Sequence, residues 1–482
     1  MTHTWFRVIK NTLSQAITYG ARAISNFVMI VLIAQLAGAE SLGVYSFAIT
    51  FTAIATFFRD FGIGLLLIRE ISKSPHKSTK YINNALSLTA ILGPIVFIVL
   101  IIAINLANVS PIKIQAVYLC AAALMLFSFT TLFKSAFYAH ERMELETSTI
   151  VIQEGIFLLG GVVVLISSLP LIFLFAAYAL SRLVGLVFSY FVYRHVIGPV
   201  RLELDIDFCK KLIVAALPFV ISMVLNLLYA RSAILLLAYF EDDKSVGYYE
   251  AAYNLSLRLA FLAMIVNTSM LPILSRSFKE SKKQFLHYSA QSRRYALALG
   301  IPLVISLFLS ATKLVPLIYG SLFEPTILLF QITIFALGFK FIGHAYATAL
   351  TAGNHQASRA KAAGIAAFVN LSINLILIPM LGRVGAAIAA TTTEFILFLS
   401  LMYYAHKYLE MKFEKNFVWK PLLASVPMII FIFMLQDISV IILLPSGILI
   451  YLAAFFILKG FSNQELKLMR QAVAKFIVAR SS

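Results

Sequence analysis

Long apolar stretches, separated by short polar segments, run along most of the chain. A helix of roughly 20 apolar residues crosses the ~30 Å hydrocarbon core of a bilayer. Lipid offers the backbone no hydrogen-bond partners, so such spans have to be helices. We predict fourteen of them, at about 13–36, 42–68, 82–104, 112–138, 149–168, 170–193, 212–239, 245–272, 289–310, 325–350, 360–381, 384–405, 417–436 and 438–459.

The composition agrees with this pattern. Hydrophobic residues make up 61% of the 482 positions and charged residues only 12%, whereas a soluble domain is about half apolar and a quarter charged. The first apolar stretch is too long for a cleavable signal and is predicted to be a permanent span. The sequence therefore predicts an all-α polytopic membrane protein.

The net charge of +18 raises the possibility of nucleic-acid binding, and its distribution argues against it. On the predicted topology, 28 Lys and Arg lie on the side of the N-terminus, four lie in the opposite loops and seven lie within spans. Cytoplasmic segments of membrane proteins carry such an excess. The positive net charge is therefore explained by the membrane topology, and both termini are predicted to lie in the cytoplasm.

An internal repeat divides the chain. The segment 41–48, SLGVYSFA, and the segment 245–252, SVGYYEAA, share four of eight residues and open spans 2 and 8. Six spans separate them, and an even number preserves orientation, so the halves are parallel repeats. We predict two pseudo-symmetric six-helix lobes, 1–200 and 201–410, followed by a terminal helix pair with a cytoplasmic tail, 411–482. Transporters built this way hold their substrate between the lobes and work by alternating access.

Seven cationic side chains lie inside the predicted spans, where each costs about 2.5–3.5 kcal/mol to insert at the bilayer centre. Lys134 and Arg182 lie near span ends, where long side chains reach the headgroups. The remaining five, together with a nearby histidine, are predicted to line a shared aqueous cavity and bind substrate: Arg22, Arg59, Arg231, Arg258, Lys340 and His344.

Neutral polar residues accompany these cations, mostly at the three-to-four-residue spacing that places side chains on one helix face. The predicted polar cavity residues are Gln15, Thr18, Ser25, Thr56, Asn226 and Asn254. The alternative is that they join neighbouring helices by hydrogen bonds. Three isolated acids, Asp60, Glu154 and Glu394, either relay a cation or proton or pair structurally with an arginine or a hydroxyl.

The cations of this predicted cavity outnumber its acids, which favours an anionic substrate. Arginine matches phosphate in a two-pronged geometry, so phosphate is the leading candidate, and a cation exporter would need the reverse balance. The sequence carries no GxxxxGK[ST] loop, HExxH motif or nucleophile elbow. We therefore predict a transporter that is not an enzyme, with no cofactor and no metal site, driven by an ion gradient, the membrane potential or the substrate gradient.

A membrane-embedded glycosyltransferase or polymerase is a further alternative, but it would need a catalytic acid beside a large outer loop. The predicted outer loops are short, and their one carboxylate cluster, Glu241–Asp243, is interpreted as a solvated turn.

Three motifs resemble those of a known family. The stretch Leu42-Gly43-x-Tyr45…Asp60-Phe61-Gly62…Arg69-Glu70, the segment AHERM at 139–143 and the segment AGNH at 352–355 are similar to polysaccharide flippases. These are the Wzx-type group of the multidrug/oligosaccharidyl-lipid/polysaccharide superfamily, and the fold implied is MATE-like.

The resemblance implies a flippase that moves polyprenyl-pyrophosphate-linked oligosaccharide, such as an O-antigen repeat unit, from the inner to the outer leaflet of the bacterial inner membrane. It maps the family's cationic cavity onto Arg22, Arg59, Arg231, Arg258 and Lys340. It also implies a lipid tail held in a groove, and partners among membrane lipids and other polysaccharide-assembly proteins. A drug/cation antiporter and a peptidoglycan-precursor flippase of the same superfamily remain alternatives.

Overall fold

Helices make up nearly all of the chain in this computed structural model. It describes residues 2–60, 63–412, 414, 416–435 and 437–460, and no strand occurs among them. The side chains of residues 2–9, 56–60, 211, 213, 215–228, 230, 266 and 416 are outside that description. The prediction of an all-α protein is confirmed.

The helices follow one another with short connections. They are α1 Thr2–Asp60, α2 Ile63–Lys73, α3 Ser78–Leu106, α4 Pro111–Ala139, α5 Met143–Ile166, α6 Ile172–Val196, α7 Ile206–Phe240, α8 Asp243–Arg258, α9 Ala260–Glu280, α10 Lys282–Leu309, α11 Ala311–Tyr319, α12 Thr326–Ala352, α13 Gln356–Leu409, α14 Asn416–Met434 and α15 Val440–Ile457. Short 3-10 turns form at Pro75–Lys77 and Ser321–Phe323.

Eleven stretches of the described residues are long and apolar enough to cross a membrane. Two of them, Lys10–Ala55 and Gln356–Leu409, hold 46 and 54 residues, more than twice the length that one crossing needs. Each is broken by a glycine with positive φ, Gly38 at 81° and Gly382 at 56°, a conformation that glycine adopts readily. The predicted divisions between spans 1 and 2 and between spans 11 and 12 fall at these glycines. A multi-pass membrane protein is confirmed, and the count of fourteen spans stays a prediction.

Contacts divide the chain into two compact units. Unit 1 comprises Met1–Ala251, Ile318–Leu322 and Asn374–Ala386, and unit 2 comprises Ala252–Leu317, Phe323–Ile373 and Ala387–Ser482. The predicted lobes rest on sequence repetition and not on compactness. Their boundaries at 200 and 410 therefore stay a prediction.

Unit 1 has a core built from α2, α3, α4, α6 and α7. Phe133, Phe137 and Tyr193 are its largest fully buried side chains. Large apolar side chains are exposed on the outside of the helices. Leu106 is 78% exposed and Leu159 is 71% exposed. Such a surface is unfavourable in water and suits the hydrocarbon of a bilayer.

Unit 2 contains two apolar clusters. The first gathers Phe285, Tyr346 and Phe398 from α10, α12 and α13. The second joins α14 and α15 to α10, and there the buried Tyr451 hydroxyl donates a 2.7 Å hydrogen bond to the Ala298 carbonyl. The terminal helix pair is therefore fixed to α10 by apolar packing and by a buried polar contact.

Candidate functional site

On the polar face of α1, two residues form hydrogen bonds with α5, and the next ones on that face form none with it among the described residues. Gln15 donates a 2.9 Å hydrogen bond to Glu146, and Thr18 shares a 2.9 Å hydrogen bond with Thr147. Both partners lie on α5, which fits the alternative of helix-to-helix contacts for these two residues. Arg22, one turn further along, is half-buried and has no hydrogen-bond or ion-pair partner among the described residues.

Ser25 is fully buried, and its hydroxyl has no partner among the described residues either. Four other predicted site residues have side chains that lie outside the described part of the chain. They are Thr56, Arg59, Asp60 and Asn226. Their predicted roles are carried forward from the sequence alone.

The predicted cations of α7 and α8 both have polar partners. In unit 1, the Arg231 guanidinium lies 3.3 Å from the buried carboxylate of Glu250. In unit 2, Arg258 donates a 3.0 Å hydrogen bond to the side-chain carbonyl of Asn254, one turn earlier on α8. Arg231 thus contacts a carboxylate of the same unit, and Arg258 contacts the amide of a predicted cavity residue.

Lys340 and Glu394 form an ion pair within unit 2. Lys340 of α12 donates a hydrogen bond to the Glu394 carboxylate of α13, and Glu394 is 5% exposed. His344 lies one turn from Lys340 on α12 and is half-buried. Glu394 is therefore paired with a lysine, whereas an arginine or a hydroxyl was foreseen, and its relay role stays a prediction.

Replacing Lys340 alone with methionine is expected to lower the free energy of unfolding by about 3–5 kcal/mol, because it removes the cation that is paired with the buried Glu394 carboxylate. The double variant Lys340→Met/Glu394→Gln is expected to recover most of that loss. Thermal unfolding in detergent measures both. If Lys340→Met unfolds at the wild-type temperature, the pair contributes nothing to stability.

Lys134 and Arg182 are both buried against acidic side chains in unit 1, and the expectation that they extend to the headgroups stays a prediction. Arg182 is 7% exposed; it lies 3.1 Å from Glu154 and stacks on Tyr178 at 4.6 Å. Lys134 is 6% exposed and lies 3.9 Å from Glu146. Desolvation disfavours an isolated charge at such depth, so these two cations persist through acidic and aromatic neighbours.

Charged residues at the start of α8 form a network in unit 1. Asp243 is paired with Lys113 at 2.5 Å, and Arg383 donates a 3.1 Å hydrogen bond to Ser245 while lying over the Tyr248 ring. The interpretation of Glu241–Asp243 as a solvated turn is therefore wrong for Asp243. Burial raises the pKa of the neighbouring Asp242, but hydrogen bonds from Ser245 and the Arg383 and Lys244 charges bring that pKa below its usual value.

The two glycines of the internal repeat, Gly43 and Gly247, each lie against the backbone of the other repeat segment. A methyl group on Gly43 would overlap the backbone carbonyl of Asp243, and a methyl group on Gly247 would overlap the backbone carbonyl of Ala39. In each case the carbonyl belongs to the residue four positions before the other glycine. The segments 39–43 and 243–247 therefore pack backbone to backbone, which only residues without a side chain allow.

The described residues contain no group of three or more His, Cys, Asp or Glu side chains arranged to hold a metal ion. The predicted cavity residues that the structure describes include guanidinium, ammonium, amide and hydroxyl groups. Such groups bind anions and sugar hydroxyls through hydrogen bonds.

Sequence reasoning did not find three of these contacts: Glu250 with Arg231, Glu146 with Gln15, and Lys113 with Asp243. The signal available for the last was the presence of opposite charges in the predicted outer loops. For the other two, the partners lie on different helices, and no spacing rule links them.

Known proteins resemble this chain in sequence. Residues 8–278 match the polysaccharide biosynthesis protein family. The probable low-salt glycan biosynthesis flippase Agl15 of Haloferax volcanii is 25% identical over 199 residues. That match covers 40% of this chain and 42% of the relative, which is less than half of either protein.

Solved structures share the fold. The lipid II flippase MurJ, in an inward closed conformation, has a TM-score of 0.78 at 16% identity, over 93% of this chain and 99% of that one. An inward-facing multidrug resistance MATE family transporter of the MOP superfamily has a TM-score of 0.65 at 13% identity, over 80% and 94%. The resemblance found in the sequence motifs is confirmed, and the chain belongs to the polysaccharide biosynthesis protein family, with the MATE-like fold of the MOP superfamily.

Proposed function

We propose that this protein is a flippase that moves polyprenyl-pyrophosphate-linked oligosaccharide from the inner to the outer leaflet by alternating access. One observation carries the proposal. Three of the cations that are costly to keep in a membrane, Arg22, Arg231 and Arg258, lie in helices within the stretch 8–278 that matches the family. A pyrophosphate headgroup is the anionic part of a lipid-linked sugar that such guanidinium groups suit.

The partners of the cations refine this proposal. Arg22 has no counter-charge among the described residues, and Arg258 contacts Asn254, a predicted polar residue of the cavity. These two are assigned to direct contact with the headgroup, while Arg231 and Lys340, which contact carboxylates, are assigned to exchange partners when the substrate enters. The proposed substrate-binding set is completed by His344, Asn254, Ser25, Arg59, Thr56 and Asn226.

The membrane is proposed to be the plasma membrane, which is the inner membrane in a bacterium, with both termini in the cytoplasm. The support is the excess of Lys and Arg on one side of the predicted topology. Membrane lipids and the enzymes that build and polymerise the oligosaccharide are the proposed partners. Transport is proposed to run without a catalytic step in this chain.

Mass spectrometry of lipid that co-purifies with the full-length protein tests the substrate class. We expect a polyprenyl-pyrophosphate carrying several sugars, and we expect it to be reduced in Arg258→Gln because the headgroup loses a charged donor. Recovery of a peptide-bearing precursor would identify a peptidoglycan-precursor flippase instead. Proton exchange dependent on an added cationic drug, without any glycolipid, would identify an antiporter.

A further inference from the structure

An apolar pocket of about 340 Å³ lies within unit 2, between α10, α12, α13 and α14. Residues of every one of these helices line it, among them Leu297, Ile301, Gly338, Ile342 and Leu422. The volume lies at the lower end of the ~300–1,000 Å³ typical of small-ligand sites. It has room for part of one hydrocarbon chain.

The pocket has a polar end. On α10 the lining residues Leu297 and Ile301 continue, at a spacing of four, the face that carries Arg293 and, one turn before it, Ser289. On α12 the lining residue Ile342 is followed one turn later by Tyr346. The Arg293 guanidinium lies over the Tyr346 ring at 5.4 Å, so the polar residues of the two helices meet one turn beyond the lining residues Leu297 and Ile342.

Three buried polar atoms at this end have no hydrogen-bond partner among the described residues. They are Arg293 Nη1, the Tyr346 hydroxyl and the Ser289 hydroxyl. These residues are 3%, 0% and 1% exposed. Leaving a buried donor unsatisfied is unfavourable, most of all for a charged group. A ligand with acceptor oxygens at this position would satisfy them.

The charge around this end is positive. Arg293 donates a 3.2 Å hydrogen bond to the Lys412 carbonyl, and Arg294 donates one to the Gly460 carbonyl. Lys420 binds the Lys459 carbonyl at 3.0 Å. The acid close to Arg293 is Glu414, at 3.9 Å. Three basic side chains thus bind backbone carbonyls just before α14 and just after α15, close to one described carboxylate, a pattern suited to an anionic lipid headgroup.

We propose that the pocket holds one chain of a resident anionic phospholipid, whose phosphate accepts hydrogen bonds from Arg293 and Tyr346. The apolar lining suits the acyl chain of such a lipid, and the basic residues beyond one end of the pocket suit its phosphate headgroup. The polyprenyl cargo is less well matched to this pocket. Successive residues of a helix point about 100° apart, so Lys340, the predicted transport cation, points about 200° away from the lining residues Gly338 and Ile342 on α12. The pocket and the predicted transport cation therefore occupy opposite faces of that helix.

The test uses the full-length protein, stripped of lipid in detergent and titrated by native mass spectrometry. The probes are phosphatidylglycerol, phosphatidylcholine, polyprenyl phosphate and inorganic phosphate. We expect the wild-type protein to bind phosphatidylglycerol at least about tenfold more tightly than the others, since each tenfold ratio needs only ~1.4 kcal/mol. Ile301→Trp, which fills the pocket from a half-buried position, is expected to weaken that binding at least tenfold.

Leu299→Trp is the matched control, because Leu299 lies on the same helix at nearly the same depth, outside the pocket lining, and is 46% exposed. It is expected to bind phosphatidylglycerol like the wild type. Tyr346→Phe, which removes one hydroxyl, is expected to reduce the preference for phosphatidylglycerol over phosphatidylcholine several-fold.

Three results would overturn the proposal. Equal phosphatidylglycerol binding by the two tryptophan variants would mean that the pocket holds no lipid chain. Inorganic phosphate binding as tightly as the lipid would identify an anion site without a chain. Polyprenyl phosphate binding more tightly than phosphatidylglycerol, and losing that affinity in Ile301→Trp, would make the occupant the cargo.

Discussion

Replacing Arg22 with glutamine is expected to lower the initial rate of glycolipid flipping by at least about tenfold while leaving the protein folded. Arg22 has no ion pair among the described residues, so its loss leaves no described carboxylate unpaired. A hydrogen bond to a charged group contributes about 1.5–3 kcal/mol, and ~1.4 kcal/mol is a factor of ten in rate. Flipping in proteoliposomes and thermal unfolding in detergent measure the two effects separately.

Two controls sharpen this result. Arg22→Lys keeps the charge and loses the two-pronged geometry, so an intermediate rate is expected. Arg142→Gln removes a cation at the start of α5, which is 46% exposed and pairs locally with Glu144, and is expected to flip like the wild type. Full activity in Arg22→Gln would remove Arg22 from the proposed headgroup contact.

Alanine at Gly43 or at Gly247 is expected to destabilise the structure described above by about 1–3 kcal/mol, the usual penalty for overpacking. A methyl group at either position overlaps a backbone carbonyl, which no change of side-chain rotamer relieves. The unfolding temperature in detergent is expected to fall in both variants. Flipping is expected to slow, because this close contact can no longer form during the transport cycle.

Gly155→Ala is the matched control for these variants. Gly155 lies in the membrane-spanning α5, and a methyl group there would meet no atom within 4 Å. It is expected to leave stability and flipping unchanged. If Gly43→Ala unfolds at the wild-type temperature, the backbone contact between segments 39–43 and 243–247 has no energetic importance.

The arrangement of spans follows largely from the sequence, because lipid imposes a single rule on every crossing. Each apolar stretch has to be helical, and its length is set by the bilayer. Even the breaks at Gly38 and Gly382 fall where short polar or small-residue segments separate the predicted spans. The number of crossings is less accessible, because apolar composition continues through such breaks and joins two crossings into one long stretch.

The candidate site is less predictable, because pairing depends on which helix faces which. Hydropathy marks Arg182 and Lys340 as costly residues, but it does not show that Glu154 and Glu394 lie beside them. The repeat marks Gly43 and Gly247 as matching positions, while the carbonyls that they approach carry no sequence signal. The polar end of the unit 2 pocket was missed because Arg293 resembles one more basic residue at a cytoplasmic span end.

The central claim is that the chain moves an anionic glycolipid across the bilayer, and reconstituted transport tests it directly. Purified protein in liposomes would receive a polyprenyl-pyrophosphate-linked oligosaccharide in the inner leaflet, and a membrane-impermeant lectin would report its arrival outside. The same oligosaccharide on an uncharged polyprenyl linkage serves as the comparison. We predict protein-dependent arrival of the pyrophosphate form, at least about tenfold faster than the uncharged form. Arrival no faster than in protein-free liposomes, or equal rates for the two linkages, would contradict the account.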